Sequence, residues 1–204
     1  MNKKQDIKII VFFIIIGLLL FGYVGYRAYN DFFKDNSPTK KILSLDLYGY
    51  SLKERDIALY KTNFKGLEGI LNENPINYEE YAKSISKLFI IDLFTLDNKV
   101  ASTDIGGLDF VHKDLKENFK ENMGNTLYKN VKKNLDGKRK QTLPEVASIE
   151  VVEVFDTKYT YKKNEYEAYI VSLKWTYTKE NSYQNKIKLT LIRDKDLLYI
   201  VKGE

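Results

Sequence analysis

The chain opens with an unbroken run of 18 uncharged residues, IIVFFIIIGLLLFGYVGY, from Ile9 to Tyr26. A helix of that length just crosses a hydrocarbon core of about 30 Å, so the run predicts a transmembrane segment. Lysines precede it, and Tyr23, Tyr26 and Tyr29 form a belt at its far end, the pattern of a span held at two interfaces. The residues that follow are bulky and offer no cleavage site of small residues, which predicts an uncleaved anchor over 9 to 29 behind a short tail, 1 to 8. Basic residues lie on both sides, so their count does not fix orientation; a long following domain crosses largely regardless of charge. The reading adopted is a single-pass protein of the cell membrane, with a cytoplasmic N-terminus and an extracytoplasmic C-terminal domain.

Residues 30 to 41, NDFFKDNSPTKK, read as a polar stalk, and the domain is placed at 42 to 204. Ser51 and Glu54 have the spacing of a capping box, after which Tyr60, Phe64, Leu67 and Leu71 recur every three or four residues. A first helix is predicted over about 52 to 72. Asn74 and Pro75 break it, Asn77 caps a second at about 78 to 96, and Tyr81, Ile85, Leu88, Phe89 and Leu93 make its apolar stripe. Gly106 and Gly107 mark a loop or short irregular hairpin. Leu115, Phe119, Met123, Leu127, Val131 and Leu135 then predict a third helix over about 113 to 135. A strict period of four drifts by about 40° per step on a 3.6-residue helix, so this stripe must wind or the helix must bend, with Gly124 the expected place. Beyond Pro144 the period becomes two, with Tyr169, Val171, Leu173, Trp175 and Tyr177 along one face of a strand. Four antiparallel strands are predicted, near 145 to 161, 166 to 179, 184 to 193 and 197 to 202. Helices first and a meander last is an α+β arrangement.

Composition narrows the chemistry. Cysteine is absent, which excludes disulfides, thiolate metal sites and cysteine nucleophiles, and His112 is the sole imidazole. The net charge of +5 sits mostly at the N-terminal flank: residues 1 to 27 carry four basic groups against Asp6, and the rest of the chain is nearly balanced. That distribution does not mark a nucleic-acid surface, and nucleic acid ranks lowest among the partners considered.

The order helix, helix, irregular hairpin, long helix and long antiparallel strands, with Trp175 central in one strand and the ending TLIRDKDLLYIVKGE, resembles the nuclear-transport-factor-2-like (cystatin-like) cone fold. The likeness covers about residues 50 to 204 and rests on element order, without a diagnostic motif. Behind one anchor the arrangement is also similar to extracytoplasmic assembly proteins of type IV secretion and conjugation systems. The resemblance implies a curved sheet wrapped over helices, and it implies no particular reaction.

Asp92 breaks the apolar stripe of the second helix, one turn from both Leu88 and Leu96. A carboxylate there must be paired, neutral or facing a cavity, since burying an unpaired ion costs several kcal/mol. Enzymes of the cone superfamily place an acid or base inside the cone, so Asp92 with His112 is the candidate proton-transfer pair of an isomerase, dehydratase or hydrolase. The preferred reading of both residues is structural, and no catalytic residue is assigned. Asp104, Asp109 and His112 lack the spacing of a calcium loop, and no metal or cofactor is expected. Lys129, Lys132, Lys133, Lys138, Arg139 and Lys140, against Asp136 alone, form the best surface candidate, suited to an anionic lipid, an acidic wall polymer or a partner protein. The expectation is therefore a non-enzymatic binding or scaffold protein. Its alternatives are a structural, self-associating subunit of a secretion or conjugation complex, and a small-molecule-binding or proton-transfer cone protein using Asp92.

Overall fold

Short alternations of apolar and polar residues open the domain as a hairpin. In the computed structural model, which describes residues 22 to 23 and 41 to 204, β1 (Lys41–Leu45) and β2 (Tyr50–Lys53) run antiparallel. Leu43 lies opposite Leu52 and Leu45 opposite Tyr50. The expected tail, anchor and stalk fall outside the described residues except at 22, 23 and 41, and among the described residues no helix is long and apolar enough to cross a membrane. The domain from residue 39 onward is a compact unit of its own.

This hairpin corrects the first expected helix. Ser51 caps nothing: it sits in β2 opposite Ser44, and its hydroxyl donates to Asp109 at 3.3 Å. Tyr50 and Leu52 are buried, and their period of two outweighs the capping spacing. The chain turns where the Asp56 carboxylate accepts the Lys53 N–H at 2.7 Å, and α1 runs only over Ala58–Leu71. Tyr60, Phe64, Leu67 and Leu71 are buried, as their spacing predicts. Helix α2 (Tyr78–Phe94) opens on Asn77, whose side chain accepts the Glu80 N–H at 3.2 Å. It is buried on most of its circumference, packing on α1 and on the sheet.

The third expected helix is shorter than its sequence stripe. Two single turns, Leu108–Phe110 and Lys113–Leu115, lead into α3 (Lys116–Asn125), and no residue from 126 to 135 is helical. The Thr126 hydroxyl turns back to the Asn122 carbonyl at 2.6 Å, and Tyr128 drives inward. Tyr128 is fully buried, donating to the Leu93 carbonyl at 2.7 Å and accepting the Gly106 N–H at 3.0 Å. Burying one large aromatic with both its hydrogen bonds met outweighs nearly three more turns of a helix whose stripe drifts.

The four expected strands form one antiparallel sheet in the order β3 (Val146–Tyr161), β4 (Asn164–Tyr177), β5 (Lys186–Asp194), β6 (Leu197–Gly203). The domain is thus α+β, with three helices, this sheet and the N-terminal hairpin among the described residues. Val171, Leu173 and Trp175 of β4, with Leu189 and Leu191 of β5, bury one face against the helices, and Trp175 meets Phe94 at 4.7 Å between ring centroids. On the other face Ala168 and Ile192 lie opposite each other, buried apart from the main core. β6 is flanked by Val111, which bridges Ile200, while β3 forms the other edge and carries a bulge between Val151 and Glu153.

Candidate functional site

Asp92 is paired. One carboxylate oxygen accepts the Lys99 ammonium and the other accepts the Gly107 N–H at 2.7 Å. Burial pushes its pKa up, but Lys99, Lys53 and the Gly107 amide outweigh burial and hold it at about 2. Lys99 itself is only 1% exposed, so the two charges neutralise each other inside the fold. Around them lie further charged groups: Asp104 takes both guanidinium nitrogens of Arg55, one at 2.7 Å, and the carboxyls of buried Asp56 and half-buried Asp109 are pushed up by desolvation. This network fastens β2, α2 and the loop after it. Gly106 and Gly107 belong to the same joint, since a Cβ on Gly106 would stand 2.1 Å from the Asp92 carbonyl oxygen and one on Gly107 2.7 Å from the Phe89 ring.

His112 lies in other surroundings. Its Nδ1 accepts the Asp114 N–H at 3.3 Å, and its ring meets the edges of Tyr161 and Tyr199 at 5.1 and 5.4 Å. Burial holds its pKa below the usual imidazole value. No hydrogen bond or ion pair joins His112 to Asp92 among the described residues, so the two candidates for proton transfer are not brought together as a bonded pair. Among these residues no three histidine or carboxylate groups are placed to hold a metal ion.

The basic cluster divides. Lys129, Lys132, Lys133, Lys138 and Lys140 are exposed and join no ion pair among the described residues. Arg139 belongs to the interior instead, with 3% of its side chain exposed. Its guanidinium donates to the carbonyls of Asp97 at 2.6 Å, Lys99 at 2.8 Å and Lys132 at 3.1 Å, which removes it from any contact surface.

The main cavity takes none of these residues. It has a volume of about 780 Å³ and opens between α2, α3 and the inner face of β5 and β6. Phe89, Leu93, Phe119, Met123, Leu189 and Ile200 give it an apolar lining. Asn118, Asn122 and Gln184 stand among its polar groups. The charged lining groups, Lys202 and Glu204, pair with each other at 2.6 Å, half in solvent. Phe119 and Met123 belong to the stripe read as core, and the signal that they differ was its drifting period. A stripe that cannot stay on one face is only partly covered: Phe119 and Met123 are half-buried against the core, Phe119 lying 5.8 Å from the Phe89 ring between centroids, and their remaining surface lines the cavity. Comparison with known proteins finds no family model that matches the chain, and no matching curated protein or solved structure.

Proposed function

We propose that the chain is a non-enzymatic, single-pass membrane protein whose extracytoplasmic domain receives an apolar part of a ligand or partner in the cavity between α3 and the sheet. The observation that carries this reading is the contrast between that cavity and the charged groups of the domain. A volume of about 780 Å³ lies within the range of ligand sites, and its walls are apolar with polar groups among them, as such sites require. Asp92 and His112, the residues suited to proton transfer, are bonded elsewhere. The run at 9 to 26 supplies the anchor. The order of three helices and a long antiparallel sheet supports the likeness to the cone fold, and a subunit of a secretion or conjugation complex is the narrower form of the same proposal.

The test places a photo-crosslinking benzoylphenylalanine at Phe119, on the cavity wall, or at Leu47, 91% exposed in the first hairpin turn. Full-length protein is irradiated in its own membranes and the adducts are identified by mass. A discrete adduct from position 119 that position 47 does not give is the expected outcome. Equal labelling at both positions, or none at either, would overturn the reading.

A further inference from the structure

Four of these exposed lysines, Lys132, Lys133, Lys138 and Lys140, stand on a loop built to hold them. Arg139 ties the loop to the carbonyls of residues 97, 99 and 132, as described above. Gln141 closes its base, accepting the Lys132 N–H at 2.9 Å and donating to the Asn130 carbonyl at 2.8 Å. Asn134 spans it twice: its N–H donates to the Val100 carbonyl at 2.8 Å and its side chain accepts the Arg139 N–H at 2.9 Å. Val131 is buried beneath. Loops usually reach solvent with their polar residues, yet the next residue of this one is Leu135, which is 65% exposed. Lys132, Lys133, Lys138 and Lys140 surround it in sequence, and Asp136, whose carboxylate accepts the Lys138 N–H at 3.3 Å, is the single acidic residue among them.

We infer that the loop of residues 132 to 140 is a docking device for an anionic lipid surface, in which Leu135 enters the interface and the surrounding lysines contact headgroup phosphates. This inference rests on the membrane-anchored reading above. Each half of the arrangement answers a different part of a bilayer. An apolar side chain in front of a rigid, bonded base gains from leaving water without losing conformational freedom, and lysines near an anionic surface are attracted within a Debye length of it. A soluble acidic polymer would satisfy the lysines but would leave Leu135 in water. The tether makes the encounter frequent, because the 14 residues between the apolar run and β1 can span at most about 50 Å.

The absence of cysteine makes the test direct. Full-length Leu135→Cys, carrying a polarity-sensitive dye, is reconstituted into nanodiscs of phosphatidylcholine with or without phosphatidylglycerol. Leu47→Cys with the same dye controls for insertion driven by the dye. Retention of protein in the phosphatidylcholine nanodiscs, which offer the lysines no net negative surface, reports on the anchor alone, so failure there counts against the anchored reading and is distinguishable from failure of the loop. With the protein retained, the expected result is a blue shift at position 135 that needs phosphatidylglycerol, falls with added salt and is absent at position 47. Changing Lys132, Lys133, Lys138 and Lys140 to Gln is expected to abolish it, each lysine contributing roughly fivefold to the association. An unshifted dye in anionic nanodiscs, or a shift that survives the four substitutions, would overturn the inference. Polyglutamate that binds wild-type protein but not the four-substitution variant, with the dye still in water in anionic nanodiscs, would assign the surface to an acidic polymer instead.

Discussion

A lysine ammonium almost wholly removed from water is tolerated at position 99 because the Asp92 carboxylate receives it. Breaking such a pair from one side leaves a charge with no counter-charge, which costs about 3–5 kcal/mol. Asp92→Asn is therefore expected to lower unfolding stability by that amount in a urea titration, and the double change Asp92→Asn with Lys99→Met is expected to cost less than the two single changes added. Strict additivity would show that the pair is not coupled. The pH dependence has a definite sign. With its pKa near 2 in the fold, against 3.8 ordinarily, Asp92 adds stability that is complete above about pH 4 and is lost as pH falls toward 2, and Asn at that position should lack this loss. That something unusual occupied the apolar stripe was legible in the sequence. Its partner was not, because Lys99 lies past the end of α2 and only the loop's return brings it beneath the helix.

At the scale of elements, β3 to β6 were legible because a period of two sustained over many residues has few competing explanations. The first hairpin was not, since its alternation is brief and Ser51 with Glu54 imitates a helix start. The third helix ends sooner than its stripe predicts because a spacing of four says nothing about what Tyr128 can reach. Two glycines separate the roles of these segments. Gly106 packs directly on α2, and an added methyl would collide with backbone. Gly124 stands in α3 with open space around it. Gly106→Ala is expected to lower the melting temperature sharply, whereas Gly124→Ala is expected to raise it, through a gain of about 1 kcal/mol in helix propensity. Equal effects would mean that the double-glycine loop is not held against α2.

For the whole molecule, the turn between β3 and β4 returns to the segment that precedes α3. Lys162 pairs with Asp114 at 2.7 Å, and His112 is enclosed between Tyr161 and Tyr199. Burial lowers the pKa of His112, with Lys113 and Lys162 acting in the same direction and Asp114 and Asp194 opposing. The unfolded chain therefore takes up this proton at a higher pH than the folded one. Global stability should fall as pH drops below about 6.5 and level off once the folded state is also protonated. Melting temperatures across pH 5 to 7.5 should show this slope in the wild type and its loss in His112→Gln; a slope unchanged by the substitution would assign it to other groups. Val111 and Leu115, on either side of this joint, line the cavity, so its wall and its acid sensitivity share one short segment. The sequence made His112 conspicuous as the lone imidazole, but its surroundings come from strands nearly 50 residues and more away.

The outer edge of β3 also bears on how copies of the domain meet. Sixteen residues long, it has the unpaired backbone on which other chains add strands and grow fibres. Its charges guard against that outcome: Glu150, Glu153, Asp156 and Lys158 occur along it, and the bulge at Val152 breaks the regular ladder a newcomer would need. Two copies set edge to edge antiparallel about the bulge would bring Glu150 and Glu153 near the partner's Asp156 and Glu153. Where copies crowd together, that repulsion keeps neighbours from zipping into one continuous sheet.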